Sequence, residues 1–170
     1  MLTFRRRQNE SVGVVAALYA GAVARSRLPE VYAEMGAPDT VEGRFEMLTV
    51  QIVLLVERLN LEGESGRTLG QAVFDLYIRN LDSALREMGV GDLAVAKRMK
   101  QLGKIFYGRA TAYAAAFQSS EPRDLEELIS RTLLVERPQI DARVLARHVI
   151  AERVRLADTA LDDLIRGGSA

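Results

Sequence analysis

Adjacent carboxylates occur at Glu126-Glu127 and Asp162-Asp163. A shared metal, or a general acid and base acting on one substrate, needs carboxylates that converge. Neighbours in a helical segment instead point to different parts of its surface, so both pairs read as solvated charges. Cysteine is absent, which removes disulfides, thiol nucleophiles and thiolate metal sites together and fits a reducing, cytoplasmic setting. His148 is the single histidine, so a histidine-based metal centre or a Ser/His/Asp triad would rest on that residue alone. Its place in an arginine- and acid-rich helical pattern favours a surface position. There is no glycine-rich phosphate loop and no nucleophile elbow. Catalytic, cofactor and metal sites are therefore not expected, and neither is an enzyme.

Binding chemistry is concentrated in one segment. Lys97, Lys100 and Lys104 are the only lysines, and no acid occurs from Leu93 through Ser120. On a helical wheel these three cluster on one side and Met99, Leu102, Phe106, Ala110, Tyr113 and Phe117 gather on another, with Arg98 and Arg109 flanking. The apolar stripe is core. The lysine row has no local acid at three or four residues' distance to neutralise it. Three readings stay open: a face paired by acids of another helix, a patch for ribosomal RNA or anionic lipid, or a patch for an acidic protein. Lys97, Arg98, Lys100, Lys104, Tyr107 and Arg109 are the candidate partner contacts.

The elements that position this segment follow from the rest of the chain. At 170 residues, 48% apolar and 27% charged with 4 prolines and 13 glycines, one folded domain with appendages is expected. Net charge is zero, with 23 basic and 23 acidic residues, so no global field steers the protein to DNA or a membrane and any such attraction must be local. The cations are nearly all arginine, which suits bidentate interface ion pairs. Arg5-Arg6-Arg7 followed by the apolar Val12–Ala24 stretch is reminiscent of a secretory signal, but with Leu18 its only leucine the stretch reads better as a core helix. No run approaches the roughly 20 apolar residues of a membrane-spanning helix.

Every long periodic stretch has helical spacing, which predicts an all-α, single-domain bundle of about six to seven helices. A basic arm is expected over 1–10, a helical core over 11–120, and C-terminal helices over 121–170 that pack on the core and end in a frayed tail. The first helix should run from about Ser11 to Arg27 and a short one from Pro29 to Gly36. Asp39 with Glu42, Thr68 with Gln71 and Asp124 with Glu127 have capping-box spacing. They predict helices ending near Asn60, Met88 and Glu136, the second after a Gly63–Gly66 turn. Gly89, Gly91 and Asp92 read as a tight joint, with Gly89 closing one helix and Asp92 capping the next, which extends to about Gln118. Pro138 and Asp141 introduce a last helix to about Ile165. Gly43 and Gly108, each inside a helix and followed by arginine, read as close helix–helix approaches. Arg44, Arg86 and Arg109 are then candidate clamps between helices, with structural roles expected for Asp39, Gly43, Gly89, Gly91, Asp92 and Gly108. Gly70 and Gly103 are further packing candidates.

The segments Pro38–Glu46, Leu85–Leu93 with Lys97-Arg98, and Phe106–Ala110 with Tyr113 resemble the ubiquinol–cytochrome c chaperone family, over roughly Val12–Phe117. The resemblance implies a bacterial, non-enzymatic assembly factor for the cytochrome bc complex that binds newly made cytochrome b. It places the protein in the cytoplasm, peripheral to the inner membrane, with ribosome or anionic membrane contact through the basic helix. The alternative is an all-α protein or enzyme with an interhelical pocket for quinone, lipid or haem, of which haem would have His148 as its sole histidine ligand.

Overall fold

The computed structural model describes residues 2–166, with side chains from residue 12 onward. It is all-α: α1 (Leu2–Ser26), α2 (Pro29–Ala33), α3 (Val41–Asn60), α4 (Gly63–Glu87), α5 (Asp92–Gln118), α6 (Pro122–Thr132), α7 (Ala142–Asp158) and α8 (Leu161–Ile165). Eight helices among the described residues exceed the expected number because α7 and α8 split what periodicity reads as one helix. The break at Thr159-Ala160 is held by Arg58, whose guanidinium donates to the carbonyls of Leu156 at 2.9 Å and Thr159 at 3.4 Å. A cation on the terminal carbonyls of a helix stabilises its end.

α3 lies at the centre and packs against α1, α4, α5 and α7. Apolar residues are buried on several of its sides, Met47, Val50, Ile52, Val53, Leu54, Leu55 and Leu59 among them. Polar groups on such a helix must be bonded or they destabilise it. Thr49 Oγ1 donates to the Phe45 carbonyl and lies 2.8 Å from the Tyr77 hydroxyl of α4. Burial pushes the Tyr77 phenol well above its ordinary range, so it stays a neutral hydroxyl. Leu18 and Ala22, within the apolar stretch near the N-terminus, are core residues.

Several boundaries move from their expected places. α1 begins at Leu2, so most of the expected arm has helical backbone. Thr40, not Asp39, caps α3 by accepting from the Gly43 amide at 3.1 Å. Asp39 instead takes Arg44 Nε at 2.5 Å. α4 starts at Gly63 inside the expected turn, where a Cβ on Gly66 would sit 2.0 Å from the Leu59 carbonyl. That contact lets α4 leave directly from the end of α3 and leaves Thr68 inside the helix, bonding back to the Glu64 carbonyl. α6 opens at Pro122 with no side-chain cap, and Glu127 pairs with Arg123 one turn back. α6 also ends at Thr132, and the chain turns through Leu133–Glu136. Asp141 does cap α7, through the Arg143 amide. The expected frayed tail from Gly167 lies outside the described residues.

Arginine pairs join helices that are distant in sequence. Arg109 of α5 grips Glu46 of α3 with two bonds of 2.9 and 2.8 Å. Arg153 of α7 reaches Glu57 of α3 at 2.8 Å and lies 4.5 Å from the Phe117 ring centre. Arg25 of α1 takes both oxygens of Glu152 on α7. Burial opposes the Glu152 charge, but the Arg25 hydrogen bond and the Arg155 charge hold its carboxyl below the ordinary value.

His148 is not a surface residue. It is half-buried, its Nε2 lacks a hydrogen-bond partner among the described residues, and burial lowers its affinity for a proton despite the nearby Glu152 charge. Arg25 and Glu30 also act on it. The reason is that α7 turns this residue inward, beside the Arg25–Glu152 pair.

Two outcomes are expected. Glu46→Gln should destabilise the fold by about 1–2 kcal/mol, since it strips a charged acceptor from a partly buried guanidinium; R109K should not restore stability, because an ammonium cannot form the two-bond fork. Urea unfolding checks both. Because the folded state holds the His148 proton less tightly than the unfolded state, stability should fall as pH drops below the ordinary histidine value of 6.5. In H148Q the same stretch of the Tm-against-pH curve should flatten.

Candidate partner-docking site

The joint between α4 and α5 sets the direction of the basic helix. Gly89 has φ +79°, and its amide bonds the Arg86 carbonyl while the Val90 amide bonds the Leu85 carbonyl at 3.1 Å. This double closure ends α4 in a left-handed glycine. Gly91, extended, stands at the N-cap of α5, and no side chain caps that end. Asp92 therefore does not cap the helix as expected. It occupies the first helical position and turns back to Arg86, which also holds Asp82 at 2.6 Å. Arg86 thus ties the end of α4 to the start of α5, whereas Arg44 hydrogen-bonds Asp39 in the segment entering its own helix and lies 5.9 Å from the Tyr32 ring centre of α2. Arg109 is engaged with Glu46, leaving its guanidinium committed inside the bundle.

From this joint α5 presents two sides. Val95, Phe106 and Tyr113 are buried, and Phe106 stacks on Phe74 of α4 with ring centres 4.5 Å apart. The other side carries Leu93, Lys97, Lys100, Lys104 and Tyr107, all exposed, with Leu93 at 92%. None of the three lysines, nor Arg98, forms an ion pair with a described residue, so acids of another helix do not neutralise the row as one reading had it. Tyr107 keeps one edge on Phe74, at 5.6 Å between ring centres, and turns the rest outward. Gly108 and Gly103 are not close approaches: a Cβ on either meets nothing within 4 Å. Gly43 is crowded, but by the Pro38 carbonyl of its own lead-in rather than by another helix, and Gly70 makes only ordinary contacts with α3.

Beside the lysine row, where α3, α4 and α5 meet, a groove of about 470 Å³ is floored by Phe45, Leu85, Leu102 and Ile105 and rimmed by Glu42, Glu46, Arg98 and Gln101. Arg98 thus borders the groove, while the lysines stand outside it. Leu85 and Ile105 were missed as site residues. Their sequence signal is ordinary helical periodicity, and only the crossing of the helices leaves them partly uncovered. Among the described residues no cluster of histidine, aspartate and glutamate has the arrangement of a metal site. The groove offers an apolar floor, charges of both signs at its rim, and a positive flank, which is chemistry for holding a peptide segment.

The sequence model of the ubiquinol-cytochrome C chaperone family matches residues 33–170, so the match runs beyond Phe117 and takes in α6, α7 and α8. The crystal structure of the Cbp3 homolog from Brucella abortus superposes with a TM-score of 0.83 at 34% identity, covering 98% of this chain and 92% of that one. No curated protein sequence matches. A family match over most of the chain, with the same fold along nearly all of it, shows that this chain belongs to the ubiquinol-cytochrome c chaperone family.

Proposed function

We propose that the protein is a non-enzymatic assembly factor that holds newly made cytochrome b while the ubiquinol–cytochrome c reductase complex is built. The observation that carries the chaperone role is the family match over residues 33–170. The geometry supports a docking function on the α5 side of the bundle. A holder of membrane-protein segments needs an apolar surface with a charged rim, the first for affinity and the second for register and release. The groove between α3, α4 and α5 has that composition.

The lysine row extends this surface outward. No described helix is long and apolar enough to cross a membrane, so contact with a bilayer falls to such a surface patch. Each lysine brought near an anionic membrane contributes about 1 kcal/mol. Lys97, Lys100 and Lys104 therefore supply a modest, salt-sensitive attraction that keeps the groove close to where cytochrome b is inserted. This reading places the protein in the cytoplasm at the inner membrane. A ribosomal surface carries the same negative charge and is the other partner this row suits.

The test is recovery of partners on tagged protein from gently solubilised native cells, comparing the wild type with the triple variant K97E/K100E/K104E. Cytochrome b should come down with the wild type, free of the mature complex, and at least about tenfold less with the triple variant. Because these positions are exposed, the variant's stability should change by no more than about 0.5 kcal/mol per site. Absence of cytochrome b from the wild-type sample would end the client assignment. Undiminished recovery on the folded variant would move the docking face off α5.

A further inference from the structure

The outward face of α5 carries more than charge. Leu93, Lys97, Lys100, Lys104 and Tyr107 succeed one another at steps of four and three residues and are all exposed. They therefore form one stripe along the helix, roughly 20 Å long. Its two ends are apolar, with Leu93 92% and Tyr107 58% exposed. Met88, at the C-cap of α4 just before this helix, is exposed as well. A single exposed leucine is ordinary on a protein surface. A leucine and a tyrosine that bracket a lysine row on one face form a pattern.

Acids are kept off the stripe. None occurs from Leu93 through Ser120, Asp92 is held by Arg86, and Glu42 and Glu46 lie at the rim of the groove on α3. Glu87, at the end of α4, is the nearest acid in the chain without an ion pair among the described residues. The type of cation also sets this face apart. Arginine makes the pairs between helices, whereas all three lysines fall here. An RNA surface favours the planar guanidinium and would leave Leu93 in water. A bilayer takes up the leucine and seats the tyrosine at headgroup level. It also lets the lysine stems lie on apolar surface with their ammonium groups among lipid phosphates.

We propose that α5 lies along an anionic bilayer, with Leu93 inserted among the acyl chains, Tyr107 at the interface, and Lys97, Lys100 and Lys104 on lipid phosphates. This rests on the membrane role proposed for the lysine row and adds to it an apolar anchor, so part of the attachment survives salt that screens the lysines. Arg98, Leu102 and Ile105 lie roughly a third of a turn or more around the helix from the stripe. The groove they border therefore opens beside the bilayer and stays free for a client.

The sequence contains no tryptophan, so a single introduced one reports its own surroundings. Full-length L93W and, as a control on an exposed site of α7, V154W are titrated with vesicles of equal parts phosphatidylcholine and phosphatidylglycerol, and with vesicles of phosphatidylcholine alone. On the anionic vesicles L93W fluorescence should shift to the blue and be quenched by bromine-labelled acyl chains, while V154W stays unshifted. L93A should weaken vesicle binding about tenfold, as expected for losing a largely buried leucine side chain. K97E/K100E/K104E should weaken it about a hundredfold. Absence of binding to anionic vesicles overturns the proposal. So does binding in which L93W stays unshifted, where charge alone holds the protein, or in which V154W is quenched as strongly, where another face docks. Binding to ribosomal RNA with none to vesicles would assign the stripe to the ribosome instead. Cytochrome b takes no part in these readouts, so failure here leaves the client assignment standing, and failure to recover the client leaves the membrane contact standing.

Discussion

The structure depends on the burial of α3. A helix covered by α1, α4, α5 and α7 holds much of its polar surface away from water, where an unpaired polar group is costly. Thr49 meets Tyr77 of α4, Glu46 meets Arg109 of α5, and Glu57 meets Arg153 of α7. Each pair fixes the rotation and height of one helix around the centre. Apolar contacts alone tolerate sliding, whereas a two-bond arginine–carboxylate fork accepts one register.

This internal use of arginine explains how a neutral protein displays a basic face. Net charge is zero, but acids are spent unevenly, since Glu46, Glu57 and Glu152 are drawn into interhelical pairs with arginine. The lysines remain outside. An ammonium is compact and strongly hydrated and gains little from a partly buried pair, so its placement on the outer side of α5 follows the same physics that places arginine between helices. In the function proposed above, the groove beside this row and the row itself form the face that holds another protein.

The helical class, the α4–α5 joint, the end of α3 and the extent of α5 were legible because they depend on near-neighbour chemistry. The glycine closure at Gly89 needs only its own helix end, and the stripe from Met99 to Phe117 needs only a period of 3.6. Misplaced caps had one common cause. Asp39, Thr68 and Asp92 all have the composition of caps, but arginines and chain crossings redirected them: Arg44 claimed Asp39, Arg86 claimed Asp92, and the Gly66 contact with Leu59 pulled the start of α4 ahead of Thr68. Cap motifs describe a helix end in isolation and carry no information about a competing guanidinium.

By itself the sequence determined what local physics can decide: a cysteine-free, all-helical chain with helices of these approximate lengths, and one helix bearing an uncompensated lysine row. Its motifs also placed it near the right family. Only the tertiary structure decided which charges remain available. Arg109 and Lys104 are equally cationic in sequence and lie on one helix, yet one is bonded to Glu46 and the other meets solvent. The same holds for the groove at Leu85 and Ile105 and for a smaller pocket between α1 and α3 lined by Leu18, Gly21, Ala22 and Leu55. Each arises where residues far apart in the chain fail to cover one another, and that failure is a property of helix crossings rather than of any local pattern.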